Sequence, residues 1–175
     1  MRKLYSYYYK SGVFKIILIG IFLTLFLSLF VTIIFELLDI REFKLFNISG
    51  YPLELNSITN SRIVNNLLIF LIMVVLWPLV ETIVFQYLPL KYCQKWFSKY
   101  KYSICMTIVL ASVFFALMHA PRVRNICATF LTGLIWCFFC FVLMRKKRRP
   151  ILYTTIMHGC YNFLGITINS IPLLF

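Results

Sequence analysis

The chain has 175 residues, of which 62% are apolar and 18% aromatic while only 13% are charged; ordinary soluble domains are about half apolar and about a quarter charged. A soluble globular domain is excluded. The 18 Lys and Arg against five acids give a net charge of +13, which in a soluble chain would point to nucleic acid, but a mean hydropathy of +0.88 and charge-free runs of about 20 residues point instead to an all-α polytopic membrane bundle.

In chain order, the first apolar run covers residues 16–35 and is preceded by Arg2, Lys3, Lys10 and Lys15. The run is too long for the apolar core of a signal peptide, and it continues into Glu36 and Asp39 without a small-residue cleavage site. The expectation is an uncleaved signal-anchor helix over about residues 14–38. Residues 51–61, with Pro52 and several Asn, Ser and Thr, read as the one long loop. The second span, 63–90, contains a single charge, Glu81; the third covers 102–120, the fourth 125–144 and the fifth 150–175. Five spans in one integral membrane domain, 1–175, are expected, with no internal repeat.

Basic residues set the direction. Arg2, Lys3, Lys10 and Lys15, then Lys91, Lys95, Lys99 and Lys101, then Arg145, Lys146, Lys147, Arg148 and Arg149 all fall on one side; Arg41, Lys44, Arg62, Arg122 and Arg124 fall on the other. Thirteen against five predicts a cytoplasmic amino terminus, with the excess charge facing anionic lipid headgroups. The partner this implies is the lipid bilayer of a cell membrane, and no nucleic acid is needed. Five of the six cysteines lie in apolar spans, which disfavours disulfides. Cys137 and Cys140 form a CxxC without a second pair and among phenylalanines, so they read as small apolar packing residues.

Four of the five acids lie at the end of the first span or in the first loop; only Glu81 sits well inside an apolar run, and both histidines, His119 and His158, do likewise. An ionisable side chain at mid-membrane costs roughly 2.5–3.5 kcal/mol, so it is seldom present without a partner or a hydrated cavity. His158 and Asn162 share a helix face, as do Phe115 and His119. Pro78, three residues before Glu81, is expected to bend or open its helix. An acid, two imidazoles and a carboxamide can activate a water and stabilise an acyl intermediate. Glu81 would be the general base that passes the proton to the leaving amine. His119 and His158 would either donate to the oxyanion with Asn162 or ligate a divalent metal such as zinc that polarises the water. One geometric check conflicts with a shared site. Straight spans put Glu81 about 15 Å and His158 about 13 Å from the cytoplasmic edge but His119 about 27 Å, unless the third span tilts or residues 102–106 form an interfacial turn.

At these residues the chain resembles the CPBP family of intramembrane CAAX-processing and bacteriocin-processing endopeptidases, also called the Abi family. The family's EExxxR motif is similar to Glu81-Thr82-Ile83-Val84-Phe85-Gln86, its FxxxH to Phe115-Ala116-Leu117-Met118-His119, and its HxxxN to His158-Gly159-Cys160-Tyr161-Asn162. The resemblance covers about half the chain and implies a family-like core of about residues 63–171. It implies a helical-bundle protease in which Glu81 activates water, with His119, His158 and Asn162 stabilising the oxyanion or binding metal. Its substrate would be a membrane-associated peptide or lipidated protein. Thr82 stands where the family has a second glutamate and Gln86 where it has arginine; losing both members of such a pair avoids one unpaired buried charge. Two other classes compete. One is a non-catalytic bacteriocin-immunity or peptide-binding membrane protein, which the departures at Thr82 and Gln86 favour; the other is a small proton or ion transporter subunit using Glu81 and the histidines as a relay.

Overall fold

The computed structural model describes residues 2–38, 67–68, 70–93, 102–119 and 122–170. Among them the chain is helical, with no β-strand: α1 (Arg2–Lys10), α2 (Val13–Leu37), α3 (Ile72–Cys93), α4 (Ser103–Leu117), α5 (Val123–Arg145) and α6 (Pro150–Ser170). The all-α expectation is met. The long loop expected at 51–61, and Lys95, Lys99 and Lys101, lie outside the described residues.

Among the described residues three helices, α2, α3 and α5, are long and apolar enough to cross a membrane, and α4 and α6 lie where the other two of the five expected spans were placed. These two bring in the histidines: His158 lies on α6 and His119 two residues past the end of α4. α4 has 15 residues, about 22 Å of helix against a hydrocarbon core of about 30 Å. α6 has the length but includes Thr154, Thr155, His158 and Asn162, side chains that a lipid-facing helix does not carry without a polar purpose.

α1 is an element the hydropathy pattern does not reveal. It ends at Ser11 and Gly12, where Gly12 is extended (φ −63°, ψ 151°) and α2 begins. Tyr8 packs edge-on against Phe139 at 5.1 Å and Phe138 at 5.8 Å. Lys146 Nζ donates to the carbonyls of Tyr9 and Ser11 at the carboxyl end of α1, where a cation offsets the helix dipole. α5 in turn ends in a paired cap: Lys147 N–H donates to Met144 and Arg148 N–H to Leu143, with Lys147 at φ 53°. These contacts bring the amino terminus and the basic run Arg145 to Arg149 to one end of the bundle, as the charge count requires of residues on one side.

α5 is the central helix. Its Phe139, Val142 and Leu143 join Ile16 of α2 and Met157 of α6 in one buried cluster, and its Cys137, Cys140 and Phe141 join Leu90 of α3 with Ile108 and Ala111 of α4 in another. Both CxxC cysteines are therefore packing residues, and the six cysteines are free. α2 is part of the bundle rather than a detached anchor: Ser28 Oγ hydrogen-bonds Tyr161 Oη at 2.9 Å, and Gly20 lies so close to Met157 and Phe139 that a Cβ would meet both. Buried hydroxyls on these helices bond the carbonyl one turn back, as Thr24 does to Gly20, Thr107 to Ser103 and Ser112 to Ile108. That pairing is how a hydroxyl avoids being unsatisfied where no water reaches.

Candidate active site

α3 is where the backbone departs most from a regular helix. Residues Ile72–Leu76, Thr82–Tyr87 and Pro89–Cys93 are π-helical, with Trp77–Glu81 α-helical between the first two. Pro78 explains the first opening, as it has no N–H to give. The Trp77 N–H reaches the Ile72 carbonyl five residues back, so the Met73 carbonyl receives neither Trp77 nor Pro78. Asn162 Nδ2 of α6 fills that gap, donating to Met73 O at 3.0 Å. Three residues earlier, Gly159 lies against the Val74 carbonyl, which a Cβ would strike. A side chain at 159 would hold α6 away from α3.

The consequence falls at residue 158. His158 Nε2 lies 3.3 Å from Glu81 Oε2, and both side chains are buried, 3% and 7% exposed. The His158 ring stacks on Trp136 of α5 with centroids 3.8 Å apart and planes at 29°. Phe115 of α4 stands edge-on to both histidines, 4.6 Å from the His119 ring and 6.0 Å from the His158 ring.

His119 is the open side of the cluster. Its side chain is 33% exposed and its Nε2 lies 3.6 Å from Glu81 Oε1. Nδ1 lies 2.9 Å from the Phe115 carbonyl; a carbonyl only accepts, so Nδ1 carries a proton, and whenever the ring is neutral Nε2 presents the lone pair. The straight-span estimate that left His119 outside the site is corrected. Residues 103–106 are helical rather than a turn, and the 27 Å figure was counted from Lys101. The π-helical turns of α3 and the end of α4 at Leu117 break the straight-helix count, and the 3.6 Å approach of His119 to Glu81 puts it at the site.

Of the residues expected at the site, Glu81, His119, His158 and Phe115 come together. Asn162 is joined to them through the backbone of α3 rather than by contact with the carboxylate. Thr82 and Gln86 are fully buried on α3, one turn apart on a single face. The sequence reading missed Trp136, Gly159 and the Met73 carbonyl. An indole N–H in the middle of an apolar span was the available signal for Trp136, because such a group needs a partner. Among the described residues no group of three or more His, Cys, Asp and Glu could hold a metal ion. Glu81 turns one oxygen toward each imidazole instead of converging with both on one centre, so the zinc set does not fit.

The family model described as type II CAAX prenyl endopeptidase Rce1-like matches residues 63–164, which contain all three motifs. The chain belongs to that family. The Rce1-like family lies within the CPBP group, and the kind of function it carries is CAAX-type intramembrane proteolysis. No curated protein and no solved structure matches. The Rce1-like match takes in α3, α4, α5 and most of α6, and it leaves out α1 and α2.

Proposed function

We propose that the protein is an intramembrane endopeptidase that hydrolyses a peptide bond of a membrane-anchored, prenylated or otherwise lipidated peptide with a water activated by Glu81. The observation that carries this reading is the carboxylate of Glu81 held between two imidazoles in a membrane bundle. Two acceptors, Glu81 Oε1 and the neutral His119 Nε2, face each other across 3.6 Å. A water donating one proton to each bridges them and turns its lone pairs toward a substrate carbonyl. Glu81 then takes the proton, hydroxide adds to the carbonyl carbon, and Glu81 returns the proton to the amine as the C–N bond breaks. His158, stacked on Trp136, fixes the second carboxylate oxygen. Asn162 is a positioning residue that holds α6 to the opened turn of α3. The excess of basic residues at one end supports a cytoplasmic position for that end, where prenylated carboxyl termini meet the membrane.

The test is cleavage of prenylated and unprenylated peptides by purified protein in liposomes. Wild type is expected to release the carboxyl-terminal fragment of the lipidated peptide. Glu81→Gln, which keeps the shape and removes the base, should lower kcat by about a hundredfold or more, and His158→Ala and His119→Ala should each lower it. Undiminished cleavage by Glu81→Gln would rule out this mechanism.

A further inference from the structure

Among the described residues seven buried side-chain polar atoms have no nitrogen or oxygen hydrogen-bond partner: Thr82 Oγ1, both amide atoms of Gln86, Trp136 Nε1, Thr154 Oγ1, Thr155 Oγ1 and His158 Nδ1, Thr154 having only the weakly bonding thiol of Cys140 beside it. All of them lie on α3, α5 and α6 around the Glu81–His158 contact. The pattern is specific, because Thr24, Thr107 and Ser112 elsewhere in the bundle satisfy themselves on the carbonyl one turn back and these threonines do not. An unmade hydrogen bond on a buried group costs about 1–3 kcal/mol, and folded proteins leave few such groups unpaired.

Helix direction orders these groups along the bundle. α3 and α6 run antiparallel: Phe70 meets Phe163 at 5.8 Å, Met73 meets Asn162 and Glu81 meets His158. Moving from Glu81 to Thr82 and Gln86 on α3 is therefore moving in the same direction as from His158 to Thr155 and Thr154 on α6. Both lead toward the end of the bundle where Tyr87 of α3 and Arg149, Pro150 and Ile151 at the start of α6 line one open groove.

We propose that this set of groups is a binding site for a short chain of water molecules, held by Thr82, Gln86, Trp136, Thr154 and Thr155, that begins at His158 Nδ1 and replenishes the water consumed at Glu81. The donors and acceptors are hydroxyl, carboxamide, indole and imidazole groups with no charged side chain among them, which suits water rather than an ion. A buried water typically makes about three hydrogen bonds, and facing groups on three helices provide them. The departure at Gln86 gains a role, since a neutral amide can both donate to and accept from water where a cation could only donate. The proposal rests on the hydrolytic reading of Glu81 for its purpose, but the site itself can be detected without catalysis.

The experiment is X-ray hydroxyl-radical footprinting of the full chain in lipid nanodiscs, where radicals form from bound water and oxidise the adjacent side chains. Trp136 and Cys140, the latter beside Thr154, are 1% and 0% exposed; Met157, 0% exposed in the apolar cluster of Ile16 and Phe139, is the matched control. Trp136 and Cys140 are expected to be oxidised several-fold faster than Met157, and Gln86→Leu or Thr154→Val should return Trp136 to the control rate. In turnover assays each variant should lower kcat about tenfold with KM unchanged. Oxidation of Trp136 and Cys140 no faster than of Met157 would overturn the water site. Fast oxidation with cleavage that survives Glu81→Gln would instead leave the site standing and remove the hydrolytic reading.

Discussion

Replacing Gly159 with alanine puts a methyl group where the Val74 carbonyl oxygen of α3 lies. The obstacle is backbone, so the strain cannot be relieved by turning a flexible side chain, and α6 must withdraw by roughly 1 Å at this turn, a displacement that can cost about a hundredfold in rate at a reacting centre. His158 is the adjacent residue, so its 3.3 Å contact with Glu81 opens, and Asn162, three residues on, is pulled from its 3.0 Å bond to Met73. Overpacking costs about 1–3 kcal/mol, and the better helix propensity of alanine returns about 1 kcal/mol. The net expectation is a loss of at most about 2 kcal/mol in stability with a fall of about a hundredfold in kcat/KM. Gly165→Ala is the control on the same helix, since a Cβ there meets nothing within 4 Å; it should leave activity unchanged. The assay is liposome cleavage beside thermal unfolding for both variants. Wild-type kcat/KM and Tm in Gly159→Ala would refute the claim that close approach of α6 to α3 builds the site.

The Met73 carbonyl offers a double-mutant test. Asn162→Ala should cost about 1–3 kcal/mol by leaving that carbonyl unpaired, and the loss should shrink in a Pro78→Ala background, where residue 78 regains an N–H; equal losses in both backgrounds would show that Asn162 acts elsewhere. Dialysis against a chelator should leave cleavage by wild type within about twofold of its starting rate, the change expected when no metal is lost from the reacting centre. A loss restored by added zinc would return His119 and His158 to the role of ligands. Lys147 occupies a left-handed position at the end of α5, so Lys147→Gly should raise thermal stability by about 1 kcal/mol, read as a higher Tm with unchanged cleavage.

The membrane class, the all-α fold and the side chains that gather at the candidate site were legible in the residues themselves. A lone acid and two histidines inside apolar runs are expensive in lipid, and that expense is visible without coordinates. Periodicity likewise paired Phe115 with His119, now seen as a ring contact and a backbone hydrogen bond. The relation between helices was not legible. Hydropathy marks five apolar runs but does not show that α4 is short or that α6 gathers polar side chains on one helix. The depth of His119 depended on where α4 starts and how it lies against α3, quantities that a count along one strand of sequence does not contain. Asn162 was read as part of the chemistry because it shares a face with His158, yet its partner is a carbonyl freed by Pro78 on another helix. Sequence by itself determined which groups needed partners; the tertiary structure decided which partner each received, because hydrogen bonds and close packing between helices depend on ångström-scale approach that Gly159 and Pro78 permit only once the bundle has formed.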